Sequence, residues 1–407
     1  MKILVVCQHY WPENFRINDI VQGFLERGHE VDVLCGQPNY PVGEFFEGYD
    51  SHSVKEEMHE GVRIFRTFEV KRGSNSNLRI FLNYSVFPLV SYFRAGKLKN
   101  NGYDRIFIYE ISPVMMAAAG LRLQKKKKIE TVMYVLDLWP QNLYSVLNIQ
   151  NKLARRFLYW ISMVIYKKPD RLITVSEKMR QYFLEKLDFS EEEITFIPQS
   201  PEKLYERRIS DPELRGRFSK GFQIVFTGNI SPAQNFPLIL EAAGLLKEEG
   251  FSDIHFVIVG DGMSAKDVKQ AVSDLKLEEM FTFEGFQPME QMPAYADIAD
   301  ALIATLKTEG VEDYAIPAKV MSYMALGKPL LIAMEGEINE IVKEARCGLT
   351  SDPNDAAQLR DNILTLYRMK KEERENMGEN AFLYQQQHFE RNQSIDQILQ
   401  VIQGEKP

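Results

Sequence analysis

A chain of 407 residues, 45% hydrophobic and 26% charged, has the composition of a globular protein and the length of two or three ordinary domains. No apolar run is long enough to cross a bilayer as a helix. The three cysteines, Cys7, Cys35 and Cys347, form no spaced pair, which excludes a disulfide framework or zinc knuckle and fits a reducing cytoplasm. The net charge of −8 conceals a split: residues 1–200 hold 27 basic and 23 acidic residues, and residues 201–407 hold 22 and 34. The acidic second half argues against a chain-wide nucleic-acid surface.

Met1-Lys2-Ile-Leu-Val-Val-Cys7 is too short for a signal peptide and reads as a first strand. Gln8–Asn18 is a loop, and the helix after it places Ile20, Val21, Phe24 and Leu25 on one face before Gly28 stops it. Glu30–Cys35 is the second strand, so the chain opens as a βαβ unit and implies a parallel sheet. Gln37–Gly48 is aromatic and turn-rich, a long functional loop rather than a regular element. Gly61–Arg66, Arg105–Glu110, Thr131–Asp137, Arg171–Ser176 and Glu193–Ile197 continue the sheet, mostly separated by helical patterns.

The second half repeats this plan. Phe222–Phe226 is a strand that runs into Thr227-Gly228-Asn229 and on to Gln234, a loop whose backbone amides are expected to face a ligand. Ile254–Val259 leads into Gly260-Asp-Gly262-Met-Ser-Ala265. This matches the dinucleotide fingerprint only weakly and sits in the wrong domain for it, so a tight turn beside a ligand is the better reading. Phe281–Phe283 and Ala301–Ala304 are further strands. Tyr314-Ala-Ile-Pro317-Ala-Lys319 then opens a helix with Val320, Met321, Met324 and Ala325 on one face. Pro317 is expected at the first helical position, Gly327 just past the end, and Leu330–Ala333 as a buried strand. Two α/β halves in tandem leave a cleft between them. A linker near Gln199–Phe218 gives domains of 1–200 and 201–385, with residues 386–407 closing the chain as a helix.

Two positions carry the chemistry in this pattern. The start of the 317–325 helix offers free N–H groups and a positive dipole end, with Lys319 one position inside, a combination that suits a diphosphate. Tyr134-Val-Leu-Asp137-Leu-Trp139-Pro140 puts a carboxylate at a strand's carboxyl end, where it can take a proton from an attacking hydroxyl; the plainer reading is a helix N-cap. No Asp-x-Asp occurs, so a diphosphate is expected to be neutralised by helix ends and cations rather than by a bound metal.

The basic residues of the first half are clustered. Val70 to Tyr103 contains Lys71, Arg72, Arg79, Arg94, Lys97 and Lys99, no acidic residue, and Phe81, Tyr84, Phe87, Tyr92 and Phe93 between them. Lys125–Lys128 and the basic-flanked apolar helix Lys152–Lys168 add two more clusters. Such segments suit an anionic bilayer surface with aromatics at headgroup level. Nucleic acid is the competing use, but no recognition motif accompanies the charge.

Taken in order, Pro12-Glu-Asn-Phe-Arg16-Ile-Asn18, Arg27-Gly-His-Glu-Val31, Pro38-Asn-Tyr-Pro-Val-Gly43, Asp137-Leu-Trp-Pro140, Thr227-Gly-Asn229, Gly260-Asp-Gly262 and Ile316-Pro-Ala-Lys319 with Met324-Ala-Leu-Gly-Lys-Pro329 resemble bacterial surface-polysaccharide glycosyltransferases of family 4, of the N-acetyl-L-fucosamine transferase type. The ordered set spans nearly the whole chain. The resemblance implies a GT-B fold: two Rossmann-like domains, a cleft between them and a final helix crossing back to the first. It also implies retaining transfer from a sugar nucleotide with no metal or other cofactor. The loop at Gly285-Phe286-Gln287 is expected to receive the base, and Lys319, with Arg16 across the cleft, the diphosphate. Gly228, Asn229, Gln234, Gly260, Gly262 and Pro317 complete the expected nucleotide site. The sequence departs from the broader family twice. Its paired glutamates would fall at Tyr314 and Ser322, and its Arg and Lys after the first strand of the second domain would fall at Asn229 and Gln234.

The combined expectation is a cytoplasmic enzyme held at the inner face of the membrane. It moves a sugar, an N-acetylated hexose, from a UDP-sugar to a polyprenyl-diphosphate-linked acceptor in capsule or O-antigen synthesis, with Asp137 as base or acceptor orienter. The alternatives are a UDP-sugar 2-epimerase of the same fold and a nucleotide-binding inactive homologue.

Overall fold

The structure, a computed structural model, describes residues 1–40, 43–73, 77–146, 149–207, 209–307, 314 and 316–406. It divides into two compact units, Met1–Pro198 with Asn392–Pro407, and Gln199–Arg391.

The first unit is built on strands β1 (Lys2–Val6), β2 (Glu30–Cys35), β3 (Glu56–His59), β4 (Val62–Arg66), β5 (Arg105–Glu110), β6 (Glu130–Val135), β7 (Arg171–Thr174) and β8 (Ile194–Phe196). They form one sheet in the order β3-β4-β2-β1-β5-β6-β7-β8. Every pairing is parallel except β3 with β4. Helices α1 (Arg16–Glu26), α2 (Asn77–Leu98), α3 (Ala118–Lys127), α4 (Gln141–Val146), α5 (Lys152–Tyr166) and α6 (Glu177–Leu187) connect the strands. Ile3–Val6 and Ile106–Ile108 are wholly buried, as apolar runs must be when helices cover both faces of a parallel sheet.

The second unit carries α7 (Pro212–Arg217), β9 (Phe222–Thr227), α8 (Phe236–Glu248), β10 (Ile254–Val259), α9 (Ala265–Asp274), β11 (Phe281–Gly285), α10 (Met292–Asp297), β12 (Ala301–Thr305), α11 (Ala318–Ala325), β13 (Leu330–Ala333), α12 (Ile338–Ala345), β14 (Gly348–Ser351), α13 (Ala356–Arg368) and α14 (Lys371–His388). Its six strands are all parallel, in the order β11-β10-β9-β12-β13-β14. The core lies on both faces of this sheet, with Val225, Leu302 and Met324 on one side and Ile224, Phe226 and Ile303 on the other.

The last helix, α15 (Arg391–Gln403), belongs with the first unit from Asn392 onward. Ile395, Ile398, Leu399 and Ile402 are buried there. Arg27 pairs with Asp396 and donates to the Asn392 carbonyl at 3.0 Å. Arg105 donates to the Ile402 carbonyl at 2.8 Å, and Arg171 to the Gly404 carbonyl at 2.7 Å. The domain boundaries therefore fall after Pro198 and Arg391 rather than after residues 200 and 385. The later boundary moves because α14 continues to His388 and packs on α11 and α12. Pro317 is the N-cap of α11 rather than its first helical residue; its extended backbone (φ −61°, ψ 121°) stands just outside the helical range.

Candidate active site

In the second sheet, successive crossovers run in opposite directions on either side of β9, toward β10 and toward β12. Open α/β sheets bind ligands at the carboxyl ends of strands beside such a switch point. The loops that leave β9, β10 and β12 meet there. Gly228 follows β9 and donates its N–H to the Val259 carbonyl at 2.9 Å, and Ile230 donates to the Asp261 carbonyl at 2.9 Å. The expectation that this loop turns its amides to a ligand is therefore corrected for Gly228 and Ile230. Pairing between β9 and β10 continues past the strand ends and uses those groups. The approach is close: a Cβ on Gly260 would lie 1.9 Å from the Gly228 carbonyl oxygen, so only glycine fits. Gly262 abuts the Asn229 side chain in the same way. A 3-10 turn at Pro232–Gln234 is tied to the end of β12 by the Thr305 hydroxyl, which donates to the Gln234 carbonyl at 2.5 Å, and by Lys307 N–H to the Ala233 carbonyl at 2.9 Å.

Helix α11 delivers the cation. Its first turn carries Lys319, and one turn further Tyr323 locks it to β9: the Tyr323 hydroxyl accepts the Thr227 N–H at 2.8 Å and donates to the Thr227 carbonyl at 3.2 Å. Lys319 Nζ donates to Gln234 Oε1 at 2.6 Å and lies 3.8 Å from the centroid of the Phe226 ring. A Cβ on Gly228 would come within 3.3 Å of it. Among the described residues no carboxylate pairs with Lys319. Burial of the ammonium end without a counter-charge pulls its pKa down from 10.5 to about 7. Lys319, Gln234, Gly228, Gly260, Asn229 and Gly262 thus form one group at the carboxyl edge of the sheet.

Phe286 follows β11 and is 65% exposed. Ser322, where the broader family has a glutamate, is buried and donates to Glu202 Oε2 at 3.3 Å. Tyr314 is half-buried. Away from these loops, near the amino ends of β12 and β13, Asp297, Lys328 and Arg374 line a cavity of about 330 Å³. Its polar groups are consumed internally: Lys328 Nζ donates to the Asp297 and Ala299 carbonyls, and Arg374 pairs with Asp300.

In the first unit, Asp137 is half-buried just past the carboxyl end of β6. It stands four residues before Gln141, the first residue of α4. Tyr166 of α5 fixes this turn: its hydroxyl accepts the Trp139 N–H at 3.1 Å and donates to the Asp137 carbonyl at 3.4 Å. Arg16 opens α1 and acts electrostatically on Tyr134 of β6.

Two features escaped the sequence. Glu110, the last residue of β5, is wholly buried, and neither carboxyl oxygen has a hydrogen-bond partner. Burial first, then the charge of Asp137, raises its pKa well above the usual carboxylate range. After β1, Gln8 donates to Glu69 at 2.7 Å and to Asn83 at 2.9 Å, while His9 bonds Glu13 at 3.0 Å. The polar run Gln8-His9 directly after an apolar strand was the signal for this second cluster.

Residues 15–200 match the family model described as Glycosyltransferase Family 4, and residues 209–383 match Glycosyl transferases group 1. The glycosyltransferase WbjE of Pseudomonas aeruginosa is 28% identical over 78% of this chain and 78% of its own. WcaI of Escherichia coli K12, assigned to colanic acid biosynthesis, is 25% identical over 82% of this chain and 84% of its own. The crystal structure of Anabaena Alr3699/HepE in complex with UDP-glucose superposes with a TM-score of 0.71 at 16% identity, covering 99% of this chain and all of that one. Its two parallel-sheet Rossmann-like units and its two family matches make this chain a GT-B-fold glycosyltransferase with a family 4 domain followed by a group 1 domain.

Proposed function

We propose that this glycosyltransferase transfers a sugar, an N-acetylated hexose, from a UDP-sugar to a polyprenyl-diphosphate-linked acceptor in surface-polysaccharide synthesis, with retention of configuration and without a bound metal. The observation that carries this reading is Lys319, a cation on the first turn of α11, next to Gly228 and 2.6 Å from Gln234. A diphosphate is neutralised well by such a helix start and buried cation. The structural likeness to a protein that binds UDP-glucose supports a nucleotide-sugar donor. The relation to WcaI supports polysaccharide synthesis.

In this reading the bond from the anomeric carbon to the UDP oxygen breaks as a bond from the acceptor oxygen forms. Negative charge collects on the departing diphosphate, where Lys319 offsets it. The hydroxyl's proton leaves to the Asp137 carboxylate, which otherwise orients the acceptor. Arg16 assists on the diphosphate, and Phe286 contacts the base. The enzyme works at the inner membrane face, drawn there by its basic first half; no helix among the described residues is long and apolar enough to cross a membrane.

The test is a screen of sugar nucleotides for UDP release, with and without a lipid-diphosphate acceptor. Acceptor-dependent release from a UDP-N-acetylhexosamine supports the proposal. Conversion of UDP-N-acetylglucosamine alone to its 2-epimer would replace it with the epimerase, and no release from any donor would leave a binding protein.

A further inference from the structure

The basic clusters of the first unit do not all do the same work. Arg94 is committed to Glu56 at 2.6 Å and stacks on Phe65, and Arg72 lies between the rings of Tyr40 and Tyr84. Members of the second and third clusters, together with Arg122 and Tyr92, meet around a groove between α2, α3 and α5. It encloses about 920 Å³, within the about 300–1,000 Å³ of small-molecule sites. Its floor is apolar: Pro88 and Leu89 from α2, Met115 from the turn before α3, Leu121 from α3 and Ile165 from α5. Arg122, Lys125, Lys126 and Lys168 line it as well, with no carboxylate among the lining residues. Arg122 is held against the Tyr92 ring at 4.3 Å, donates to the Tyr92 carbonyl at 2.6 Å and has a buried Nε without a partner. Leu89 in the groove, and Phe93, Phe157 and Trp160 outside its lining, are each about three-fifths exposed.

The helix dipole accounts for lysines in the last turn of α3. It does not account for an apolar opening beside them, nor for the convergence of Lys168, from just past the end of α5, on the same groove. An apolar floor under four cations is complementary to an anionic amphiphile. The position of the rim narrows the choice. Lys125 and Lys126 precede β6, and Lys168 precedes β7, so the cations stand at the amino edge of the sheet, whereas Asp137 follows the carboxyl end of β6. A strand of six residues separates the two edges by about 20 Å. The lysine rim is therefore at the opposite edge of the sheet from Asp137, while Met115, which follows β5, extends the apolar lining toward the carboxyl edge.

We propose that the α2–α3–α5 groove binds an anionic membrane phospholipid, its acyl chain along Leu89, Met115, Leu121 and Ile165 and its phosphate on Arg122, Lys125, Lys126 and Lys168. This rests on the membrane-surface part of the proposed function and gives it a stoichiometric site. The test uses delipidated full-length protein titrated with dihexanoyl phosphatidylglycerol below its micelle concentration, beside dihexanoyl phosphatidylcholine, glycerol 1-phosphate and farnesyl phosphate. Saturable one-to-one binding of phosphatidylglycerol is expected, weaker by roughly tenfold or more for the neutral lipid and for the chainless phosphate. The Lys125→Glu/Lys126→Glu variant should abolish it on the surface side, and Leu121→Trp should do so by filling the floor. Equal binding of both phospholipids, unchanged binding in Lys125→Glu/Lys126→Glu, or tighter binding of farnesyl phosphate would overturn the assignment. Vesicle sedimentation run alongside separates the two levels. Salt-sensitive vesicle binding without short-chain lipid binding removes only the groove, and no binding to anionic vesicles removes membrane association itself.

Discussion

Lys319 and Gln234, 85 positions apart in the sequence, meet at 2.6 Å. The broader family resemblance puts a lysine at position 234, where this chain has glutamine. The ammonium on α11 reaches the side-chain end of Gln234, and in the proposed function it takes the place of that charge. A lysine at both positions would bring two half-buried cations together, so the glutamine is the partner that lets Lys319 stand there. The prediction is that charge at this point matters more than which element carries it. Lys319→Gln should depress turnover, and Lys319→Gln with Gln234→Lys should recover a substantial part, measured as kcat under saturating donor.

In the proposed function the desolvated Lys319 ammonium should make nucleotide binding pH-dependent. With a folded pKa of about 7 against about 10.4 in the unfolded chain, Lys319 is charged below pH 7 and neutral above it. The cost of burying the charge is full below pH 7, and stability rises between about 7 and 10, where only the unfolded state still holds the proton. A bound diphosphate favours the charged form. UDP affinity should therefore fall as pH rises above 7, with proton uptake on binding, and Lys319→Ala should show a flat profile over the same range. Calorimetry at pH 6–9 in two buffers of different ionisation enthalpy reads both quantities. A wild-type profile as flat as the variant's would remove the coupling.

Glu110 predicts the opposite slope. Its raised folded pKa means that the native state keeps a proton which the unfolded chain releases above about pH 4.3. The residue therefore costs stability increasingly as pH climbs from that value toward its folded pKa. Glu110→Gln, a neutral isostere, should match wild type near pH 4 and be the more stable protein at pH 8. Urea melts across that range would show the gap; a gap that shrinks with pH would contradict the assignment of a protonated Glu110.

The strands, α11 and its punctuation were legible because each depends on a short apolar run or a local stop signal. Pro317 and Gly327 bracket α11 within a residue of where the pattern put them. Three things were hidden. The edge strand β3, Glu56-Glu-Met-His59, is too polar to announce itself and is defined by its antiparallel partner β4. Helix α2 runs on through Pro88, a residue that normally argues against a helix interior. The Lys319–Gln234 and Glu110–Asp137 relationships depend on which strands are neighbours, and strand order is not written in any local pattern.

Metal independence is a separate expectation, since the sequence has no Asp-x-Asp pair and the proposed diphosphate partner is an amine. Excess EDTA should leave turnover nearly intact. Activity lost on chelation and restored by Mn²⁺ or Mg²⁺ would show that a divalent ion carries charge that has been assigned to Lys319.

The most direct test of the central claim is steady-state kinetics of Lys319→Ala beside UDP titration. The charge on the leaving diphosphate develops in the transition state, and removing one preorganised donor to such a charge costs about 10²–10³ in rate. The account predicts a fall of that size in kcat, with a smaller loss of UDP affinity and only partial recovery in Lys319→Arg, whose guanidinium is larger and planar. A kcat near that of wild type in Lys319→Ala would contradict it.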